Sequence, residues 1–192
     1  MSKTNYRKLK RIRKKITAEV NMEANKLREE LLARAIKAEA CKDGITDLSQ
    51  ATTKEEIAQC FIEYLDFCLA KDYPDNTFLK RYLRKELENI GIYIDRDISF
   101  KNRQRTVLLG DCRANMLFDG YTVSRIWVKH TSRLSISACK NAIVMIDALD
   151  TANVDISTSD DSVVIVNLYG KATCKGATKI MRKGETYELQ IR

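Results

Sequence analysis

The chain has 192 residues, 44% hydrophobic and 31% charged, with 34 Lys and Arg against 26 Asp and Glu for a net charge of +8. That length supports one sizeable core or two small ones. It contains no run of 18 apolar residues, which excludes a spanning helix, and its N-terminus is too charged for the apolar core of a secretory signal, so a soluble, cytoplasmic protein with no membrane partner is expected.

The charge is concentrated at one end. Lys3, Arg7, Lys8, Lys10, Arg11, Arg13, Lys14 and Lys15 contribute +8 in the first fifteen residues with no acid among them, so everything after Lys15 is neutral as a whole. Near Tyr6 on a helix, such side chains neutralise phosphates. Eight contacts would give a log–log salt slope of about −7, or roughly four orders of magnitude in affinity between 50 and 200 mM salt. Nucleic acid, RNA or DNA, free or within a nucleoprotein complex, is therefore the expected partner. An acidic protein surface, an anionic membrane surface or a solvated helix end would use the same residues. No zinc finger, RNP motif or Gly-x-x-Gly clamp accompanies the arm, so weak sequence specificity is expected.

From Asn5 to about Cys41 the pattern is helical. Leu9, Ile12, Ile16, Val20, Ala24, Leu27 and Leu31 recur at spacings of three and four, and Gly44 reads as the stop. Thr53-Lys54-Glu55-Glu56 is a capping box that opens a second helix, with Ile57, Cys60, Phe61, Tyr64, Leu65, Cys68 and Leu69 on its apolar face. Pro74-Asp75-Asn76 starts a third, with Phe78, Leu79, Tyr82, Leu83 and Leu87 facing inward and Gly91 ending it. These two helices are predicted to form an αα-hairpin.

Beyond Gly91 the period changes from 3.6 to 2. From about Thr106 to Gly176 apolar columns recur every ten residues: Ala142, Ala152, Ser162 and Ala172; Val144, Val154, Val164 and Cys174; Ile146, Ile156 and Val166. They extend back through Leu134 and Ile136, Ile126 and Val128, and Met116 and Phe118. A fixed period with β-branched inward positions describes stacked parallel strands sharing a core. The outward positions alternate between apolar and polar pairs, so the full coil is about twenty residues with two sheets. One sheet is expected to face water. The other presents Arg125, Trp127, Ile143, Met145, Val163 and Ile165, an apolar face to be covered by the protein's own helices, by a second copy or by a partner. Tyr187, Leu189 and Ile191, alternating after a Lys183-Gly184 turn, are candidates to cap an open end.

The predicted class is α+β: a helical N-terminal half followed by a small parallel β-solenoid, divided into a basic helical arm (1–44), an αα-hairpin (45–92) and the solenoid with its cap (93–192). Catalysis is not expected, nor is a metal or other cofactor. His130 is the only histidine and has no evident partner, and Asp147, Asp150, Asp155, Asp160 and Asp161 fall where turns and outward positions need polar residues. Cys41, Cys60, Cys68, Cys112, Cys139 and Cys174 include no Cys-x-x-Cys pair and read as reduced, mostly buried thiols. Gly110-Asp111-Cys112-Arg113 and Asp119-Gly120-Tyr121 read as turn chemistry.

Those two turns, with Thr122-Val123-Ser124-Arg125 and Asn167-Leu168-Tyr169-Gly170, resemble a pattern in proteins of Bacteroidales phages and prophages, over roughly residues 55–187. The short coils are also similar to bactofilin-like and phage β-helix modules, although bactofilins lack a large helical N-terminal half. The phage and prophage family carries no function to transfer; a phage origin by itself implies a small, non-enzymatic protein in the host cytoplasm. It would be either a binder of host machinery, such as a nucleic-acid-guided defence complex, or a virion component that oligomerises.

Overall fold

Residues 22–37 form helix α1 and bury one stripe, Ala24, Leu27, Leu31 and Ala35. The structure is a computed structural model and describes residues 22–187. The helix expected to run on to Cys41 stops short of it. Cys41 instead N-caps a separate helix, α2 (Lys42–Gln50), its Sγ accepting from the Gly44 N–H at 3.3 Å. Gly44 therefore lies in a first turn and not beyond a last one. Leu48 is the one buried residue of α2, so the segment carries little apolar periodicity to betray it.

The capping box at Thr53 is present as expected and opens α3 (Lys54–Glu63). Arg28 donates to the Ala51 carbonyl at 2.9 Å and Lys54 pairs with Glu23 at 3.4 Å, fastening α1 to the corner between α2 and α3. The expected hairpin helices are each divided. Tyr64 separates α3 from α4 (Leu65–Lys71), and Leu83, at φ −130°, separates α5 (Asn76–Tyr82) from α6 (Arg84–Asn89). Buried residues continue across both breaks, from Phe61 and Ile62 to Leu65, and from Leu79 to Leu83 and Leu87, so the apolar spacing conceals them. Among the described residues no helix is long and apolar enough to cross a membrane.

The strands follow in chain order: β1 (Ile92–Ile94), β2 (Asp97–Lys101), β3 (Arg105–Leu109), β4 (Arg113–Phe118), β5 (Val123–Val128) and β6 (Arg133–Ala138). Next come β7 (Ile143–Ala148), β8 (Asn153–Thr158), β9 (Val163–Tyr169), β10 (Thr173–Lys175) and β11 (Lys179–Gly184). Odd strands form one parallel sheet, β1-β3-β5-β7-β9-β11, and even strands the other, β10-β8-β6-β4-β2. This is the predicted two-sheet solenoid, begun one coil earlier than the repeat alone indicates. Lys183 and Gly184 belong to β11 and do not form a turn, and β11 pairs with β9. Leu189 and Ile191 of the expected cap lie outside the described residues.

The inward columns are as read. Val144, Val154 and Val164 are fully buried, as are Ile126 and Val166, with Ile146 at 1% exposure. Each such side chain contributes about 1.5–3 kcal/mol by leaving water. The small-residue column, Ala142, Ala152, Ser162 and Ala172, lies just before the strands and is buried too.

What closes each half-coil is a backbone device the sequence barely advertises. Gly110, Gly120, His130, Lys140, Asp150, Asp160 and Gly170 all have φ between +54° and +75°. One left-handed residue every ten turns the chain from one sheet into the other. Thr131, Thr151 and Lys171 then donate backbone N–H groups to the carbonyls of Gly110, His130 and Asp150, one coil earlier. The chain divides into two units, one ending at Leu65 and one starting at Asp66, so α5, α6 and the solenoid belong to the same unit.

Candidate interaction surface

The outer face of the six-stranded sheet is built from three rows set by strand register. The first is Val123, Ile143 and Val163; the second Arg105, Arg125, Met145 and Ile165; the third Trp127, Asp147 and Asn167. Exposure divides them. Val123 is 55% exposed and Ile143 and Met145 are 41% each, whereas Trp127 is buried at 7%. Val163 and Ile165 are half-buried. The open apolar surface is thus a short strip along the starts of β5 and β7. Val123, which continues the Ile143 column twenty residues earlier, belongs to it although the sequence reading left it out.

The third row carries polar groups beside Trp127: Asp147 is buried and Asn167 half-buried. The Arg125 guanidinium lies 4.7 Å over the Trp127 ring and reaches Asp147 at 3.4 Å. Asn167 donates to the other Asp147 oxygen at 2.7 Å. A buried carboxylate costs several kcal/mol unless its lone pairs are satisfied, and here the rungs on both sides satisfy it. Asp147 is therefore one of the outward strand positions, held in a cross-rung network that the spacing did not show.

The remaining aspartates follow two patterns. Asp150 and Asp160, at left-handed positions, accept the backbone N–H of His130 at 3.2 Å and of Lys140 at 3.1 Å. Each aspartate so ties its coil to the one before. Asp155 and Asp161 are exposed.

His130 is not partnerless, as the sequence reading had it. Its Nδ1 accepts from the Gly110 N–H at 3.0 Å, which leaves the proton on Nε2 to donate to Asp72, also at 3.0 Å. Asn76 Nδ2 approaches the same Nδ1 at 3.4 Å. Beside it the ammonium of Lys129, 6% exposed, bridges Asp150 at 2.8 Å and Asp72 at 3.2 Å. Burial alone would raise the Asp72 pKa, but the His130 hydrogen bond and the Lys129 charge outweigh it and hold it below the ordinary carboxylate value. Asp72 and Asn76 stand 58 and 54 residues before His130, which is why spacing did not reveal them. With both ring nitrogens engaged, the imidazole fastens the turn between α4 and α5 to a solenoid corner.

Cys68 and Cys112 are buried, Cys60, Cys139 and Cys174 half-buried and Cys41 exposed, and none of them forms a disulfide among the described residues. Burial pushes the Cys112 thiol up; the thiol donates to the Leu109 carbonyl at 3.2 Å. Among the described residues no group of three or more His, Cys, Asp or Glu is gathered as metal ligands would be. The eight basic residues from Lys3 to Lys15 lie outside the described residues. Comparison of the chain with protein-family models, with curated proteins and with solved structures gives no significant match.

Proposed function

We propose that this chain is a non-catalytic binding protein that engages nucleic acid, free or within a host nucleoprotein complex, through Lys3–Lys15, with the solenoid as its rigid platform. The observation that carries the reading is the clustering of +8 in fifteen residues without an acid. Residues 16–92 hold 11 Lys and Arg against 15 Asp and Glu, and residues 93–192 hold 15 against 11. Neither stretch approaches that density. The resemblance to phage and prophage proteins supports a role in a phage or mobile element, acting in the host cytoplasm on a complex such as a nucleic-acid-guided defence system.

The test compares the full chain with a full-length variant carrying Gln at the eight basic positions, titrated against labelled single-stranded RNA and DNA at several salt concentrations. The parent should bind with a steep salt slope, and the variant should lose both affinity and slope. Equal affinities would remove the arm from the function.

A second reading, assembly through a homo-oligomeric interface, draws on the open strip of Val123, Ile143 and Met145. Light scattering decides it: a monomeric parent sinks the idea, and an oligomer that Ile143→Lys with Met145→Lys dissociates without unfolding would support it.

A further inference from the structure

The five-stranded sheet carries an arrangement that the fold itself does not require. Arg113 on β4 and Arg133 on β6 are register partners, so two outward guanidinium groups rise from adjacent rungs about 4.8 Å apart. Both are exposed. Like charges directly opposite each other on neighbouring strands are destabilising. Several other basic residues of the same unit are neutralised: Arg96 by Glu88, Lys101 by Asp119, Arg125 by Asp147, and Lys129 by Asp72 and Asp150. Among the described residues Arg113 and Arg133 have no ion pair or side-chain hydrogen bond, although Asp97 is the next residue along the same row.

Two residues further along these strands, on the same outer face, lie Asn115 and Ser135. With Ser99 and Ser137 they line a shallow groove of about 350 Å³. The short side chains leave the sheet surface low beside the two arginines, and they supply hydroxyl and amide groups that both donate and accept. Planar guanidinium forks match the paired oxygens of a phosphate, and two of them on neighbouring rungs can hold one phosphate from both sides. An anion there would also remove the repulsion between them.

We propose that Arg113 and Arg133, with the Asn115–Ser135 groove beside them, form a phosphate-binding site on the solenoid. For its natural ligand, a nucleic-acid backbone, it rests on the function proposed above. The site would give the basic arm a second, fixed point of contact on the same strand.

The test uses the full chain, its Arg113→Gln/Arg133→Gln variant and the arm-neutralised variant, each titrated with a single-stranded oligonucleotide and, separately, with inorganic pyrophosphate. The double Gln variant should bind the oligonucleotide roughly tenfold more weakly at low salt, with its salt slope reduced by about one to two. Arg113→Lys/Arg133→Lys should keep the slope and recover only part of the affinity. The melting temperature of the double Gln variant should be unchanged or higher, because a like-charge pair is gone; a fall of several degrees would mark the arginines as structural and overturn the site. Unchanged oligonucleotide binding in the double Gln variant, alongside lost binding in the arm variant, would overturn the site and leave the arm reading standing. If the parent binds no oligonucleotide, the arm reading falls and pyrophosphate decides the site. Thermal stabilisation by pyrophosphate that disappears in the double Gln variant upholds it, and no stabilisation of the parent overturns it.

Discussion

The solenoid has two columns of corners that share one backbone conformation and differ in nearly everything attached to it. Gly110, His130, Asp150 and Gly170 turn the chain from the six-stranded into the five-stranded sheet, and Gly120, Lys140 and Asp160 turn it back. The first column is bound to the helices through Asp72, Asn76 and Lys80, which pairs with Asp95. Among the described residues the second makes hydrogen bonds and ion pairs only within the solenoid, such as Asp160 with the Lys140 N–H and Asn102 with Asp119. The period sets the backbone, and the neighbouring elements decide how much each corner is worth.

The largest expected effect comes from an added methyl group at the first column. A Cβ at Gly110 would lie 2.0 Å from Asp95 Oδ1, which the Asp111 N–H holds at 2.8 Å, and its φ is +75°. Gly110→Ala should cost about 3 kcal/mol from left-handed strain and displaced hydrogen bonds, measured by denaturant unfolding. Gly120→Ala, with φ +67° but nothing within 4 Å of the new atom, should cost only about 1 kcal/mol. Equal losses would show that the corners differ less than their contacts imply.

Asp72→Ala removes one of two carboxylates from buried Lys129 and the acceptor from His130. It should destabilise by about 1–2 kcal/mol in the same assay. Asp160→Ala, losing two exposed bonds, from the Lys140 N–H and the Ser159 hydroxyl, should cost about half as much.

Acid should separate the columns less sharply. Asp95 is held below the ordinary carboxylate value by the Lys80 hydrogen bond and then the Asp111 N–H; at the other corners Asp119 is held down by Asn102 and then Lys101. With Asp72 these are lowered folded-state values. Their stabilisation is complete above the unfolded Asp value near about 4 and is lost as pH falls through the lower folded values. Melting temperature should therefore hold above that value and drop below it, with a smaller drop in Asp72→Asn.

The smallest effect has the opposite sign. Lys140 sits at φ +59° with an exposed side chain, so Lys140→Gly should stabilise by about 0.5 kcal/mol, relief of left-handed strain exceeding the added unfolded-state entropy. The melting temperature should rise by a degree or two.

Legibility in the sequence followed the physics of each feature. The inward columns and the Thr53 cap were readable because period and cap chemistry are local. The left-handed corners were readable at Gly110 and Gly120, which sit in turn-like clusters, and not at Lys140, where residue type gives no sign of positive φ. Helix α2 was hidden by a glycine that the Cys41 thiol caps. The breaks at Tyr64 and Leu83 were hidden because burial continues through them. His130 was misread because its partners are distant in the chain. The Arg113–Arg133 pair required the register, which twenty-residue spacing implies but outward alternation alone does not emphasise.

The common left-handed residue at every tenth position makes the fold tolerant of length in an uneven way. A twenty-residue duplication would insert a whole coil and return every outer row to its own sheet. A ten-residue duplication would close equally well, since inward positions and corners both recur at that interval. It would nevertheless hand all later rows to the opposite sheet, setting apolar strip beside arginine groove. Descendants of this chain are thus free to drift in steps of ten as far as the core is concerned, and confined to steps of twenty wherever a surface matters.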